Sequence, residues 1–268
     1  EVELFTYSLR EQTNINLTAE WDMASNKLIN NILNNKLQDL IAIPTGLNQL
    51  DNIIRGFSKG ELIVIGGRPG MGKTTIAIQM AINLLKNNIP TAFFSFEMTQ
   101  ISISIRMLAN ITGVTKNRMI DGLMDWEKHI IQSKQNEFES YPLLLNDASV
   151  LNLAGIRAKV MKMKAEKNIQ VVFVDHLGFI EDTLPKSDKR GNVEYNTKRL
   201  KLLAKELGIT VVLLCQLNRE VEKRKGRRPT LADLKESGAI EADSDIVIMP
   251  FRPHYYFIDN PDENSEYQ

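Results

Sequence analysis

An α/β fold is the architecture this sequence predicts: a mostly parallel sheet flanked by helices, preceded by a separate helical arm. Three observations predict it. Short, continuously apolar runs alternate with longer segments of helical periodicity, as βαβ units require. The runs lack the in-and-out alternation of half-exposed strands, which fits strands covered on both faces. Finally, Gly67-Arg68-Pro69-Gly70-Met71-Gly72-Lys73-Thr74-Thr75 stands between one such run, Ile63 to Gly66, and an apolar helical stretch carrying Ile76, Ala77, Met80, Ala81, Leu84 and Leu85.

Taken in order, the first element is an amphipathic helix over residues 18–36, because Leu17, Trp21, Ala24, Leu28 and Ile32 recur every three or four residues with asparagines between them. Residues 1–39 therefore read as an N-terminal linker or arm, and 40–268 as the main domain. The arm's apolar stripe fits burial on a neighbouring subunit or on its own domain. Ile43-Pro44-Thr45-Gly46 is a turn leading into a short amphipathic piece from Leu47 that ends at Gly56. After the glycine-rich loop come a strand from Thr91 to Phe96, helices from Ile101 to Ile111 and Trp126 to Phe138, a strand from Leu143 to Leu145, and a helix from Ala154 to Lys167. A strand from Val171 to Val174, a helix from Val193 to Leu207, and strands from Ile209 to Leu214 and Ile246 to Met249 complete the pattern.

Composition narrows the function classes. The chain has 268 residues with 43% hydrophobic content, enough for one large α/β domain and an attachment. Its 33 basic and 33 acidic residues cancel, so any contact with a polyanion must come from local clusters. The single cysteine, Cys215, excludes a disulfide framework and points to a reducing compartment. With no long apolar span and no signal-like start, the expectation is a soluble, cytoplasmic protein without a membrane partner. Glu1 at the start and the polar stretch Asn260 to Glu266 at the end read as the bounds of a piece of something longer.

The glycine-rich stretch fits Gly-x-x-x-x-Gly-Lys-Thr, a phosphate loop. Its backbone, from Gly67 through Arg68, Pro69, Gly70, Met71 and Gly72 to Thr75, curls so that several amide N–H groups surround an anion at the positive end of a helix. Lys73 reaches the β and γ phosphates, and the Thr74 hydroxyl ligates Mg²⁺, so ATP and Mg²⁺ are the expected ligands. In parallel sheets, ligands sit beyond the carboxyl ends of the strands. Glu97 closes the strand Ala92 to Phe96 there and is placed to polarise a water, or else is a solvated strand-end acid. Asp175 ends Val171 to Val174 as the expected second metal ligand. Gln216 ends the strand before it as a neutral detector of the γ phosphate. Cys215 alternates away from Gln216 and reads as core, and His176 reads as packing more than as a base.

Arg219, Lys223, Arg224, Lys225, Arg227 and Arg228 then concentrate charge, with Glu220 and Glu222 interleaved. Such a block is either a solvated loop or a contact to a nucleic-acid backbone. Lys235-Glu236-Ser237-Gly238 follows, with a glycine open to close approach, and a second polar loop from Thr183 to Asn192 carries Lys186, Lys189 and Arg190. Neither loop interleaves aromatics, so base stacking is not expected.

Together, Ile43-Pro44-Thr45-Gly46, Arg68 to Thr74, Phe94-Ser95-Phe96-Glu97-Met98, Val174-Asp175, Gln216-Leu217-Asn218-Arg219 and the block from Asp233 to Asp245 resemble the C-terminal motor domain of DnaB-type replicative DNA helicases. The matches keep the family's order over residues 40–252, and the last block is more specific than any phosphate loop. The resemblance implies a RecA-like P-loop NTPase core, ATP hydrolysis between subunits of a hexameric ring, and movement on single-stranded DNA, with primase or loader partners reached through an N-terminal domain. It assigns Lys73 and Thr74 to phosphate and Mg²⁺, Asp175 to the metal, Glu97 to water activation and Gln216 to γ-phosphate sensing. Arg219, Lys235, Glu236 and Gly238 fall on DNA-facing segments, and the 18–36 helix corresponds to a linker helix docked on the adjacent subunit.

Two departures stand out. The family's Tyr-Leu-Gln after the aspartate is His176-Leu177-Gly178 here, and no Lys-x-Arg-x-Gly finger pattern occurs between Arg252 and Gln268. The second implies slow hydrolysis by this stretch alone, since a finger adds on the order of 10³ to 10⁵ in rate elsewhere. The alternatives are a RecA-like recombination filament that binds DNA without unwinding it, and a nucleotide-switched assembly module.

Overall fold

The computed structural model describes residues 17–34, 42–147, 152–180, 189–224, 226–234 and 238–256. The chain divides into two units, Glu1–Ala42 and Ile43–Gln268. In the first, α1 is Leu17–Leu33, with Met23, Leu28, Ile29, Ile32 and Leu33 exposed.

The second unit opens with α2, Asn48–Ile54, anchored by one carboxylate. Asp51 accepts from Thr45 N at 2.9 Å, Thr45 Oγ1 at 2.8 Å and Gly46 N at 3.0 Å, tying the Ile43 to Gly46 turn to the helix. Thr45 is fully buried, so Asp51→Ala leaves donors unsatisfied. A loss of about 1–3 kcal/mol of stability is expected, read from the midpoint of urea unfolding.

Among the described residues, a six-stranded parallel sheet runs in the order β3-β2-β4-β5-β1-β6. Its strands are β1 Leu62–Gly67, β2 Thr91–Ser95, β3 Leu143–Asn146, β4 Val171–Asp175, β5 Thr210–Gln216 and β6 Ile246–Ile248. Every residue of β1, β2 and β4 is buried, as the unbroken apolar runs predict. Alternate residues feed two cores. Val64, Phe94, Val172, Val174 and Leu213 face one layer, packed on Ile156 and Val160 of α7 (Leu153–Lys167) and Leu200, Leu203 and Ala204 of α8 (Lys189–Leu207). Ile63, Ile65, Phe93, Phe173 and Leu214 face the other, beneath α3 (Lys73–Lys86) and α4 (Gln100–Thr112). Phe93 and Phe173 stack across neighbouring strands with centroids 5.4 Å apart.

The remaining helices are α5 Lys116–Asp121, α6 Asp125–Glu139, α9 Gly238–Asp243 and α10 Pro253–Tyr256. The α5 helix has no apolar repeat to announce it. It is held by Thr115, which accepts from Arg118 N at 3.3 Å, and by Arg118, which donates to Glu127 at 2.9 Å. The expected polar loop from Thr183 to Asn192 is corrected in its second half. Lys189 and Arg190 already belong to α8, while residues 183–188 lie outside the described set. Gly191 and Asn192 argue locally against helix, but Asn192, Asn196 and Thr197 are buried, so tertiary packing extends the helix past its apolar periodicity.

Candidate functional site

The carboxyl ends of β2, β4, β5 and β1 lie side by side at one rim. Ser95 is in register with Asp175 and Gly67 with Gln216, and Phe96 N donates to Asp175 O at 2.7 Å. Glu97, Asp175, Gln216 and the glycine-rich loop thus leave adjacent strands.

The loop turns sharply where it must. Gly70 and Gly72 have φ of 81° and 94°, a left-handed backbone that suits glycine. Gly72 is the N-cap of α3 and offers no side chain to cap it, so no side chain of its own satisfies the helix's first amides. Pro69 and Gly70 form an exposed tip, Met71 is buried beneath it, and Thr75 is exposed on α3. A Cβ on Gly70 would come within 2.8 Å of the Tyr255 ring, and Arg252 Nη1 donates to Gly70 O at 3.3 Å. These two contacts over the loop have no signal in local sequence.

Lys73 Nζ donates to Gly67 O at 2.9 Å and to Arg68 O at 3.5 Å. Burial pushes its pKa down, against the raising influence of Asp175, Cys215 and Glu97. An incoming polyphosphate would restore the favourable partner that burial removes. Thr74 Oγ1 donates to Asp175 Oδ2 at 2.8 Å. Asp175 Oδ1 is buried with no hydrogen-bond partner. A hydroxyl and a carboxylate with a spare lone pair are the donor set that Mg²⁺ accepts from a protein when phosphates and water complete its octahedron. Among the described residues, no group of three or more His, Cys, Asp or Glu could hold a metal ion.

Burial raises the Asp175 pKa, opposed by the Thr74 hydrogen bond and reinforced by the Glu97 charge. For folding of the protein alone, the sign follows: this group's contribution is full below the ordinary aspartate pKa and is lost as pH rises through the raised value. For metal binding, the proton is a competitor. Mg²⁺-dependent ATP binding is expected to weaken on acidification starting above the ordinary range near about pH 4, checked by titrating a fluorescent ATP analogue at several Mg²⁺ concentrations and pH values.

Glu97 is exposed at the rim, and its charge acts on Lys73, Asp175 and His176. Gln216 is exposed at the end of β5 and lines a cleft of about 520 Å³ with Arg68, His176, Gly178, Arg219 and Leu234. Cys215 is buried, its thiol pushed up to about 12 by burial, as a core residue's should be. His176 Nδ1 accepts from Gly178 N at 3.0 Å, and burial lowers the ring's pKa. A Cβ at position 178 would stand 2.9 Å from His176 Cε1, so the ring fills the space that a side chain there would need.

The structure adds detail to three site expectations. The Arg68 side chain leaves the loop, donating to Leu217 O at 2.9 Å and Glu222 Oε1 at 2.8 Å; its main chain alone lies in the loop. The described charges of the basic block are mostly exposed, and Arg224 among them is tied to a buried acid. Arg224 makes a two-pronged contact to buried Asp233, at 3.1 and 2.8 Å, and Lys223 pairs with Glu220 at 2.7 Å. Arg219 is exposed at the start of a 3-10 turn, and Gly238 is exposed at the start of α9, while Lys235 and Glu236 lie outside the described residues.

Comparison with known proteins agrees with this geometry. Residues 42–268 match the family model of the DnaB-like helicase C terminal domain. The chain is 40% identical to the replicative DNA helicase DnaB of Treponema pallidum over 216 residues, 80% of this chain and 49% of that protein. Against the DnaB of Helicobacter pylori it is 34% identical over 228 residues, 81% of this chain and 45% of that one. It therefore spans about half the length of these curated relatives. Among solved structures, a DnaB-like replicative helicase described with its interactions with primase superposes with a TM-score of 0.80 at 25% identity, covering 91% of this chain and 59% of the other. A sheet whose strand ends bring a phosphate loop, an orphaned aspartate oxygen and a glutamate to one rim, in a chain matched almost throughout the second unit, places this protein in the DnaB-like helicase C-terminal domain family.

Proposed function

We propose that this chain is the motor of a replicative DNA helicase: it binds ATP with Mg²⁺, hydrolyses it at subunit boundaries of a hexameric ring, and draws single-stranded DNA through the ring in the cytoplasm. The observation that carries this reading is the Thr74 to Asp175 hydrogen bond, with the second carboxylate oxygen left free beside a glycine-rich loop. The α3 amides and Lys73 hold the phosphate tail, and Thr74 and Asp175 hold Mg²⁺. When bound, Mg²⁺ neutralises charge between the β and γ phosphates. Glu97 orients and deprotonates the attacking water, and Gln216 reads the γ phosphate at the end of β5. Arg219, Lys235, Glu236 and Gly238 lie along the DNA backbone, where contacts need no base recognition.

The exposed apolar side chains of α1 are the surface by which one copy engages the next, since a stripe of that kind on a helix is spent on association. The family match and the primase named for the solved DnaB-like helicase support primase or a loader as further partners. Among the described residues, no helix is long and apolar enough to cross a membrane.

The test uses the full-length protein that contains this chain. Particle mass with a non-hydrolysable ATP analogue should correspond to six copies, and a forked duplex should be unwound only with ATP and Mg²⁺. A protein that forms open filaments and leaves the fork intact would instead be of the recombinase type.

A further inference from the structure

Resting on the motor reading, we infer that the Arg68 to Glu222 ion pair is the link through which nucleotide state at the phosphate loop reaches the basic segment 217–234. Arg68 and Glu222 are then positioning residues, neither of them a phosphate ligand. Arg68 is buried, and its guanidinium spans two partners: Leu217 O at 2.9 Å and Glu222 Oε1 at 2.8 Å. Its own main chain belongs to the phosphate loop, where Arg68 O accepts from Lys73 Nζ at 3.5 Å. One residue thus has its backbone at the phosphate cradle and its side chain on the segment that follows Gln216.

The far side of the link is tied together by hydrogen bonds among its described residues. Asn218 N donates to Asp233 O at 3.0 Å, Arg224 grips the Asp233 carboxylate, and Thr230 N donates to the same carboxylate at 2.7 Å. Val221 is buried between, in a small hollow shared with Arg68, Met71 and Leu217. A shift of the loop, on closing around a γ phosphate, is therefore handed to the whole segment because little within the segment can absorb it. The near side is equally direct: Leu217 N donates to Gly67 O at 3.4 Å, beside the Gly67 and Gln216 register pair. Arginine suits the role, since a planar, permanently charged fork can hold a carbonyl and a carboxylate at once, whereas lysine offers a single flexible charge. Glu222 is about two-fifths exposed, so its removal spares the core, and Arg68 keeps Leu217 O.

The experiment uses full-length Glu222→Ala and Glu222→Gln, read three ways: ATP affinity, ATPase without DNA, and the factor by which single-stranded DNA stimulates ATPase. For Glu222→Ala the first two should stay within about twofold of the parent, while the DNA stimulation factor falls about fivefold or more, the size of a typical coupling between sites. DNA affinity should also lose its difference between ADP and a non-hydrolysable ATP analogue. Glu222→Gln, which keeps an oxygen acceptor, should recover part of the coupling. Unchanged stimulation in Glu222→Ala, with a responsive parent, overturns the link alone. A parent whose ATPase ignores DNA overturns the motor reading and the link together, and equal losses in ATP affinity and basal rate reassign the pair to the nucleotide site itself.

Discussion

Lys73→Ala is expected to abolish ATP turnover, a loss of about 10²–10³-fold or more in kcat, and to take DNA unwinding with it. The reason is electrostatic. Lys73 is partly buried and held by Gly67 O, within reach of the charges of Asp175 and Glu97. At a partly buried position an ammonium that meets the proposed β and γ phosphates acts against a lower effective dielectric than at the open surface, where a charge is worth less. Burial lowers the Lys73 pKa against the raising influence of Asp175, Cys215 and Glu97, so an anionic ligand would add to the groups that offset the cost of its charge. The variant should remain folded, because the side chain contributes no core packing beyond the loop. Steady-state ATPase with a coupled assay and nucleotide titration on the full-length protein check the prediction. Parental turnover in Lys73→Ala would remove the motor assignment.

The second large effect is expected for Glu97→Gln, which should slow hydrolysis about 10²–10⁴-fold, the range of a positioned general base, while ATP affinity remains within a few fold. The amide keeps the size and can still hold a water but cannot take its proton. Glu97 leaves β2 two residues beyond Ser95, whose register partner is Asp175, so the proposed base and the proposed metal ligand sit on neighbouring strands. Single-turnover kinetics separate chemistry from binding here. A variant that loses affinity and rate in equal measure would instead make Glu97 a ligand.

Much of the site was legible before any coordinates, because each piece rests on one local pattern. The apolar run Val171 to Val174 has to be a buried strand, and the acid that ends it has to be delivered to the strand's carboxyl edge. The same reasoning places Glu97 and Gln216, and the glycine-rich loop announces its own bends at Gly70 and Gly72. Cys215 is core, as its alternation with Gln216 along β5 implies. The start of α8 was not legible, since Lys189 to Asn192 carries a glycine and an asparagine and no apolar repeat.

By itself, then, the sequence determined the strand order along the chain, the phosphate loop, and which side chains reach the strand ends, because periodicity of two or 3.6 residues and turn chemistry are local properties. Tertiary structure alone decided that the Arg68 side chain turns to Glu222, that Arg224 is tied to Asp233, and that Arg252 and Tyr255 approach Gly70. Arg68 and Glu222 are 154 residues apart in the chain, and Arg252 and Gly70 are 182 apart. Charged side chains of that kind carry no periodicity, and their partners are chosen by which strands lie next to one another in the sheet. That adjacency, β1 beside β5 and β6 beside β1, is settled only when the two apolar layers close on both faces at once.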